Sequence, residues 1–376
     1  MHSDSIRTST WALAGLVLAS GSFLPAQDAS AKPLDYWVYV AAESADEIYK
    51  IRFDGEKAEV AAIIEVGYQP PEIEGPHGLT VSPDGEHWFV TMAHGKPYGI
   101  LYKYRTSDDE LVGECELGLF PATMQISKAT GLLYCVNFDL HGDMSPSSVS
   151  IVDPDEMVEV GRTITGPMPH GSRISPDGTK HYSCSMMNGK LYEIDAATFE
   201  ITRELKLDEA PEHVHHEGMD MTKMAAAPMS KPTWVFPHPS KPLAYVCLNG
   251  VATVVEVDLE EWKITRRFST AAGPYNVEVT ADGKKLLISY KSSQSVGIWD
   301  LEKGVEIAKI PSSRKVTHGV VISPDGKYGF VSSEGIGAEN GTVDVFDMEK
   351  NVLVTTVEIG LQAGGIAFWK AAPRSK

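Results

Sequence analysis

Residues 76–85 read PHGLTVSPDG, 169–178 read PHGSRISPDG and 317–326 read THGVVISPDG. Looser copies stand at 121–130 (PATMQISKAT), 232–241 (PTWVFPHPSK) and 274–283 (PYNVEVTADG). Measured at the residue that opens the Ser-Pro-Asp-Gly turn or its equivalent, the copies begin at Ser82, Ser127, Ser175, His238, Thr280 and Ser323. Their spacings are 45, 48, 63, 42 and 43 residues. A period in this range with one turn per unit predicts an all-β chain built as a β-propeller, in which small sheets repeat around an axis.

Outward from that phrase, each unit reads as four short strands. The phrase is the first, and an apolar run such as HWFVTM, LLYCVN or LAYVCL is the second. A third ends in Asp before a turn, as in IVDPD, EVDLE and IWDLE. The fourth alternates polar and apolar residues, as in EITRELKL. Period-two alternation punctuated by Gly, Asp and Pro is strand and hairpin chemistry. Residues 36–67 supply a second, third and fourth strand without a first, and residues 364–369 (GGIAFW) supply a first with nothing after it. Pairing the N- and C-terminal strands completes one more blade and removes a sheet edge, so seven four-stranded blades are expected over 32–376 as a single domain. The long spacing holds an insertion at 208–230 between blades four and five, and long loops in compact arrays are disproportionately functional. Asn340-Gly341 is expected to be a turn between strands of the last blade.

The net charge of −18 makes nucleic acid an unsuitable partner, because phosphate binding needs a basic stripe. At the N-terminus, Arg7, an apolar stretch from Trp11 to Leu24 and the small-residue run Ala29-Ser30-Ala31 read as a secretory signal over 1–31. The apolar stretch is too short and too broken by polar residues to span a membrane. A periplasmic or secreted location is therefore expected. Cys115, Cys135, Cys184 and Cys247 form no C-x-x-C, and three of them fall in second strands of different blades. They read as small buried hydrophobes.

Propeller connectivity sorts the histidines. Loops between blades and loops from second to third strands emerge on one face, and the Ser-Pro-Asp-Gly turns on the other. His77, His170 and His318 open inner strands at the channel mouth. His94 and His141 lie in second-to-third-strand loops, and His213, His215 and His216 lie in the insertion. All eight belong to one face, whereas His87, His181 and His238 map to the other. Aligned blade by blade, the mouth holds Gly364, His77, Ala122, His170, Thr233, Tyr275 and His318. Met92, Met144, Met168, Met186, Met187 and four methionines between Met219 and Met229 are expected on the same face. Imidazole with thioether suits copper, with zinc as the second choice. Glu72, Glu74, Asp143, Glu212, Glu217 and Asp220 are candidates to orient the imidazoles.

The Ser-Pro-Asp-Gly turns and the apolar second strands resemble the YVTN (YncE-like) family of bacterial propellers over essentially the whole chain after residue 31. The resemblance implies the fold, whereas binding proteins, structural proteins and enzymes all occur in that family. The mouth is also similar to the histidine-lined propellers of nitrous oxide reductase and of the methanethiol-oxidase/selenium-binding-protein group. Leu140–Asp143 (LHGD) is similar to the latter, but the full histidine set and cysteine-bearing segments of those enzymes are absent. No nucleotide or haem motif is present. The expected function is an extracytoplasmic metal carrier, chaperone or sensor. The alternatives are a copper-dependent oxidoreductase acting on a small substrate and a protein–protein interaction scaffold on the His/Met-rich face.

Overall fold

Both faces of every sheet in this chain are apolar, and that dictates a ring. The computed structural model describes residues 33–68, 72–94, 98–207 and 229–374. The expected signal segment and the insertion histidines His213, His215 and His216, with Glu212, Glu217, Asp220 and the methionines at 219, 221 and 224, lie outside these residues. Seven four-stranded antiparallel sheets are present. The described residues contain no α-helix, only a short 3-10 turn at Asn249–Val251.

The blades are numbered from the one shared by the termini. In blade 1 the strand Ala363–Pro373 lies against Leu34–Ala42, with Val38 opposite Phe368 and Ala42 opposite Ala363. Blades 2 to 7 open with the inner strands Pro76–Val81, Pro121–Ile126, Pro169–Ile174, Pro232–Pro237, Pro274–Val279 and Thr317–Ile322. Burial follows distance from the axis. The second strand of blade 3, Leu133–Asn137, is buried throughout, while the fourth strand of blade 4, Ile201–Lys206, alternates half-buried and exposed.

The core is divided among seven apolar clusters of the described residues, one for each neighbouring pair of blades. Alternation along the second strand of blade 1 shows how. Val38 and Val40 pack toward Phe330 and Val345 of blade 7, while Tyr39 and Ala41 pack toward Trp88 and Val90 of blade 2. The four cysteines are free and buried in these interfaces.

The repeated turn has a chemical reason. Ser175 Oγ donates to Asp177 Oδ1 at 2.6 Å and accepts from Lys180 N at 2.9 Å, and Gly178 takes a left-handed φ of +79°. Thr280 and Ser323 repeat the arrangement with Asp282 and Asp325. His238 substitutes an imidazole for the hydroxyl, its Nδ1 accepting from Ser240 N and Lys241 N at 3.1 Å.

Two expectations are corrected. Asn340-Gly341 is not a turn. Asn340 begins the third strand of blade 7 and pairs with Leu361, and the chain reverses before it, at Gly335 and Gly337, both with positive φ. Gly341 is small because a Cβ there would meet Ala363 Cβ at 2.5 Å. Met92 also differs from its expected loop placement, since it ends a second strand and is fully buried. Met144, Met168, Met186 and Met187 do lie in loops, Met144 exposed, Met168 buried in the blade 3–blade 4 cluster, and Met186 and Met187 partly buried against it. Thioethers are apolar enough that core packing claims them.

Phe330 is fully buried at the seam between blade 7 and the terminal blade, 5.9 Å from Phe53 by ring centres. Phe330→Ala is expected to lower stability by about 3–5 kcal/mol in denaturant unfolding. A loss below about 1 kcal/mol would show that the seam is not a main contributor to ring closure.

Candidate functional site

The P-H-G phrases lie inside inner strands rather than in turns, and the glycine explains why. A Cβ on Gly78 would meet Ala122 O at 1.8 Å, one on Gly171 would meet Thr233 O at 2.3 Å, and one on Gly319 would meet Gly364 O at 2.7 Å. Backbone therefore packs directly on backbone where adjacent inner strands converge. Hydroxyls from neighbouring strands fix the histidine carbonyls. Thr123 Oγ1 donates to His170 O at 2.5 Å and Ser289 Oγ to His318 O at 2.6 Å.

This convergence brings three histidines, distant in sequence, into one layer. The His77 ring stands 5.9 Å from His170 and 6.0 Å from His318 by ring centres, edge to face with each. Tyr275 stands against both of the others, 5.2 Å from His170 and 4.7 Å from His318, and its hydroxyl lies 2.9 Å from His170 Nε2. All four side chains are buried, and beneath the imidazoles lies a small cavity of about 30 Å³ also lined by Thr123, Trp234 and Asn276. His94 joins through a shared carboxylate: Glu43 Oε2 is 2.8 Å from His77 Nδ1, and Glu43 Oε1 is 3.0 Å from His94 Nε2. His141 is exposed at the rim and stacks on His94 at 5.7 Å. Phe120 packs against His77, His94 and His141.

Burial sets the charges. Desolvation pushes the His170 imidazole well below its ordinary value, helped by His77 and Lys291. His318 is lowered in the same way by burial, then by Lys291, His77 and His170. Both rings are therefore neutral near pH 7, the form that can offer a lone pair. Burial would raise Glu43, but the charge and hydrogen bonds of His77 and His94 outweigh it and hold the carboxyl far below the usual carboxylate range. Desolvation pushes Tyr275 up to about 12, so its phenol keeps its proton. Burial would lower Lys291, but Tyr275, Glu334 and Glu43 hold it up. Its ammonium lies 4.4 Å from the Tyr275 ring centre and 2.9 Å from Glu334 Oε1.

Among the described residues, no group of three or more His, Cys, Asp or Glu side chains is disposed to hold a metal ion as the rings stand. The two separations from His77 are nevertheless on the right scale, whereas His170 and His318 each pack on Tyr275 rather than on one another. An ion bonded at about 2.0–2.1 Å sits roughly 3 Å from a ring centre, so two rings sharing it lie about 5–6 Å apart. His318 Nδ1 is buried without a hydrogen bond, and His170 Nδ1 faces the Thr233 carbonyl without one of full geometry. His77 Nδ1 is occupied by Glu43, which leaves Nε2 as its free nitrogen.

The histidine alignment missed a second layer. The residue that follows each second strand donates its N–H to the carbonyl one residue ahead of the inner strand of its own blade, and these residues are Glu43, Ala93, Phe138, Met186, Asn249, Lys291 and Glu334. Glu43, Lys291 and Glu334 follow the runs YVAA, LLISY and GFVSS, so the same repeat read at that position would have found them. Glu74 instead accepts from Tyr68 N, and Asp143 from Ser145 N, in loops.

No family model and no curated protein matches the chain. Solved structures do. A hydrazine synthase chain of Kuenenia stuttgartiensis matches with a TM-score of 0.64 at 19% identity, covering 80% of this chain and 93% of that one. The periplasmic gluconolactonase PpgL of Pseudomonas aeruginosa matches at 0.70 and 15%, covering 89% and 99%. A Bacteroides fragilis protein provisionally named a 6-phosphogluconolactonase matches at 0.67 and 16%, covering 89% and 98%. Likeness at this identity shows the seven-bladed propeller fold.

The neutral rings generate a pH prediction. The unfolded chain protonates His170 and His318 below about pH 6.5 and the folded chain does not. Stability is unaffected above that value and falls as pH drops below it, by about 1.4 kcal/mol per pH unit for each ring. Unfolding of chelator-treated protein between pH 7.5 and 5.5 should show the fall, and the double variant His170→Gln/His318→Gln should flatten it. An unchanged slope in the double variant would mean that other groups set the acid limit.

Proposed function

We propose that the channel mouth is a transition-metal site in a protein that carries, delivers or senses the ion outside the cytoplasm. The observation that supports this reading best is the layer formed by His77, His170 and His318, with centre-to-centre distances of 5.9 and 6.0 Å from His77. Two of the imidazoles are kept neutral by burial. The third is oriented by Glu43, in the manner of the carboxylates that orient metal-binding histidines. His94, sharing Glu43, and His141 at the rim extend the donor set outward. His213, His215 and His216 supply an acquisition arm in this reading.

Copper stands ahead of zinc by the ordinary affinity order for divalent ions at imidazole sites. The burial of Met92 and Met168 weakens the thioether argument for copper, which then rests on the half-buried Met186 and Met187, the exposed Met144 and the insertion.

A second reading has its own observation, the Glu43–His77 pair at 2.8 Å. An imidazole held by a carboxylate is a general base, and two fold neighbours are named for lactone hydrolysis. Metal dependence separates the two readings.

Untagged protein purified without chelator is expected to hold one copper or zinc ion per chain by elemental analysis. His77→Ala/His170→Ala/His318→Ala together should remove it. An ion that survives this triple change but is lost on deleting 210–229 belongs to the insertion, and the mouth reading fails. Metal-free protein that turns over a sugar lactone, with activity lost in Glu43→Gln, supports the hydrolytic reading. Metal-dependent turnover of a small thiol or nitrogen oxide would make the same site an oxidoreductase rather than a carrier.

A further inference from the structure

The inner strands carry a bulge near their start, between Pro169 and Ser172 in blade 4 and at matching places in blades 2, 3, 5, 6 and 7. A bulge shifts the alternation by one, so residues three apart line the same side. His170 and Arg173 consequently border one cavity. The matching positions in blades 2 to 7 are Thr80, Gln125, Arg173, Phe236, Glu278 and Val321, a layer at the opposite end of the channel from the mouth.

Arg173 is the one cation in that layer, and it lacks an ion pair. Its guanidinium donates to Ser172 O at 2.8 Å and lies 4.9 Å from the Trp234 ring centre and 5.8 Å from that of Phe236. Among the described residues no carboxylate comes within ion-pair distance of it. Glu278 is two blades away, with Phe236 on the blade between, and its Oε1 accepts from Ile322 N at 3.2 Å. Burial raises the Glu278 carboxyl to about 7, opposed by Arg173, so near neutrality it compensates the guanidinium only in part. Beside Arg173 a pocket of about 230 Å³ opens on the face of the Ser-Pro-Asp-Gly turns, walled by Ile126, Ile174, Phe236, Pro237 and Pro239.

We propose that this pocket binds a small organic carboxylate, paired with the Arg173 guanidinium and resting its apolar body on the proline and phenylalanine walls. A guanidinium fork stiffened by aromatic stacking matches the two oxygens of a carboxylate. A partly buried cation that is only partly compensated gains from a counter-ion. The volume, about eight waters' worth at roughly 30 Å³ each, accommodates an anion the size of benzoate. Lys128 stands exposed at the rim, and His181, whose buried imidazole is pushed down to about 3, stays neutral. Glu278 is then the group that modulates the site. Above about pH 7 its negative charge repels the ligand and neutralises Arg173. The site does not depend on the metal reading, and either stands if the other fails.

Benzoate is the probe, titrated into the full chain by calorimetry and by Trp fluorescence, with benzamide and inorganic phosphate in parallel. Benzoate is expected to bind at least tenfold more tightly than benzamide, and Arg173→Met to remove that preference. Arg173→Lys, which keeps the charge without the fork, should fall between. Affinity should decline from pH 6 to pH 8 in the wild type and stay level in Glu278→Gln. Equal binding of benzoate and benzamide would reduce the pocket to an apolar slot and overturn the proposal without reference to any variant's folding. Tighter binding of phosphate than of benzoate would overturn the carboxylate assignment, and no benzoate binding at millimolar concentration would remove the site.

Discussion

Each blade of this protein buries apolar side chains on both faces, and a sheet with two apolar faces is satisfied only between two neighbours. Seven interfaces of this kind close on themselves, so the core is a ring of sheet-on-sheet contacts with no central mass. The terminal strands complete the last of them by pairing within one blade. The channel chemistry depends on this closure. Backbone contact between adjacent inner strands, which Gly78, Gly171 and Gly319 permit, narrows the bore until side chains from separate blades meet.

Polar groups were placed in that bore at a cost in desolvation, and the two ends handle it differently. At the mouth, His170 and His318 give up charge, while Glu43 keeps its charge by pairing with two imidazoles. Lys291 keeps its own by lying between Glu334 and the Tyr275 ring. At the opposite end Arg173 relies on aromatic faces, while Glu278 surrenders part of its ionisation. Groups so perturbed and so placed are characteristic of sites that act on ligands. Two chemically distinct ends of the channel are thus joined by one small cavity that both His170 and Arg173 border.

How far the chain could be read without coordinates varied with the kind of interaction. Seven blades, the terminal seam and the convergence of His77, His170 and His318 were legible, because they follow from a period and from equivalent positions within it. His94 and His141 were assigned to the correct loops, but the carboxylate linking His94 to His77 was not. Glu72, Glu74 and Asp143 were nearer in sequence, yet Glu43 from the neighbouring terminal blade is the partner. Met92 was misplaced because a loop boundary shifted by one residue changes a side chain from exposed to buried.

By itself the sequence determined the architecture and which residues share a layer, since both are set by repetition of a local pattern of alternation, turn and small residue. Only the tertiary structure decided which side chains pair across blades and which nitrogens and cations are left unpaired. Charge state and partnership depend on distances between segments up to hundreds of residues apart and on local burial, and no spacing along the chain encodes either.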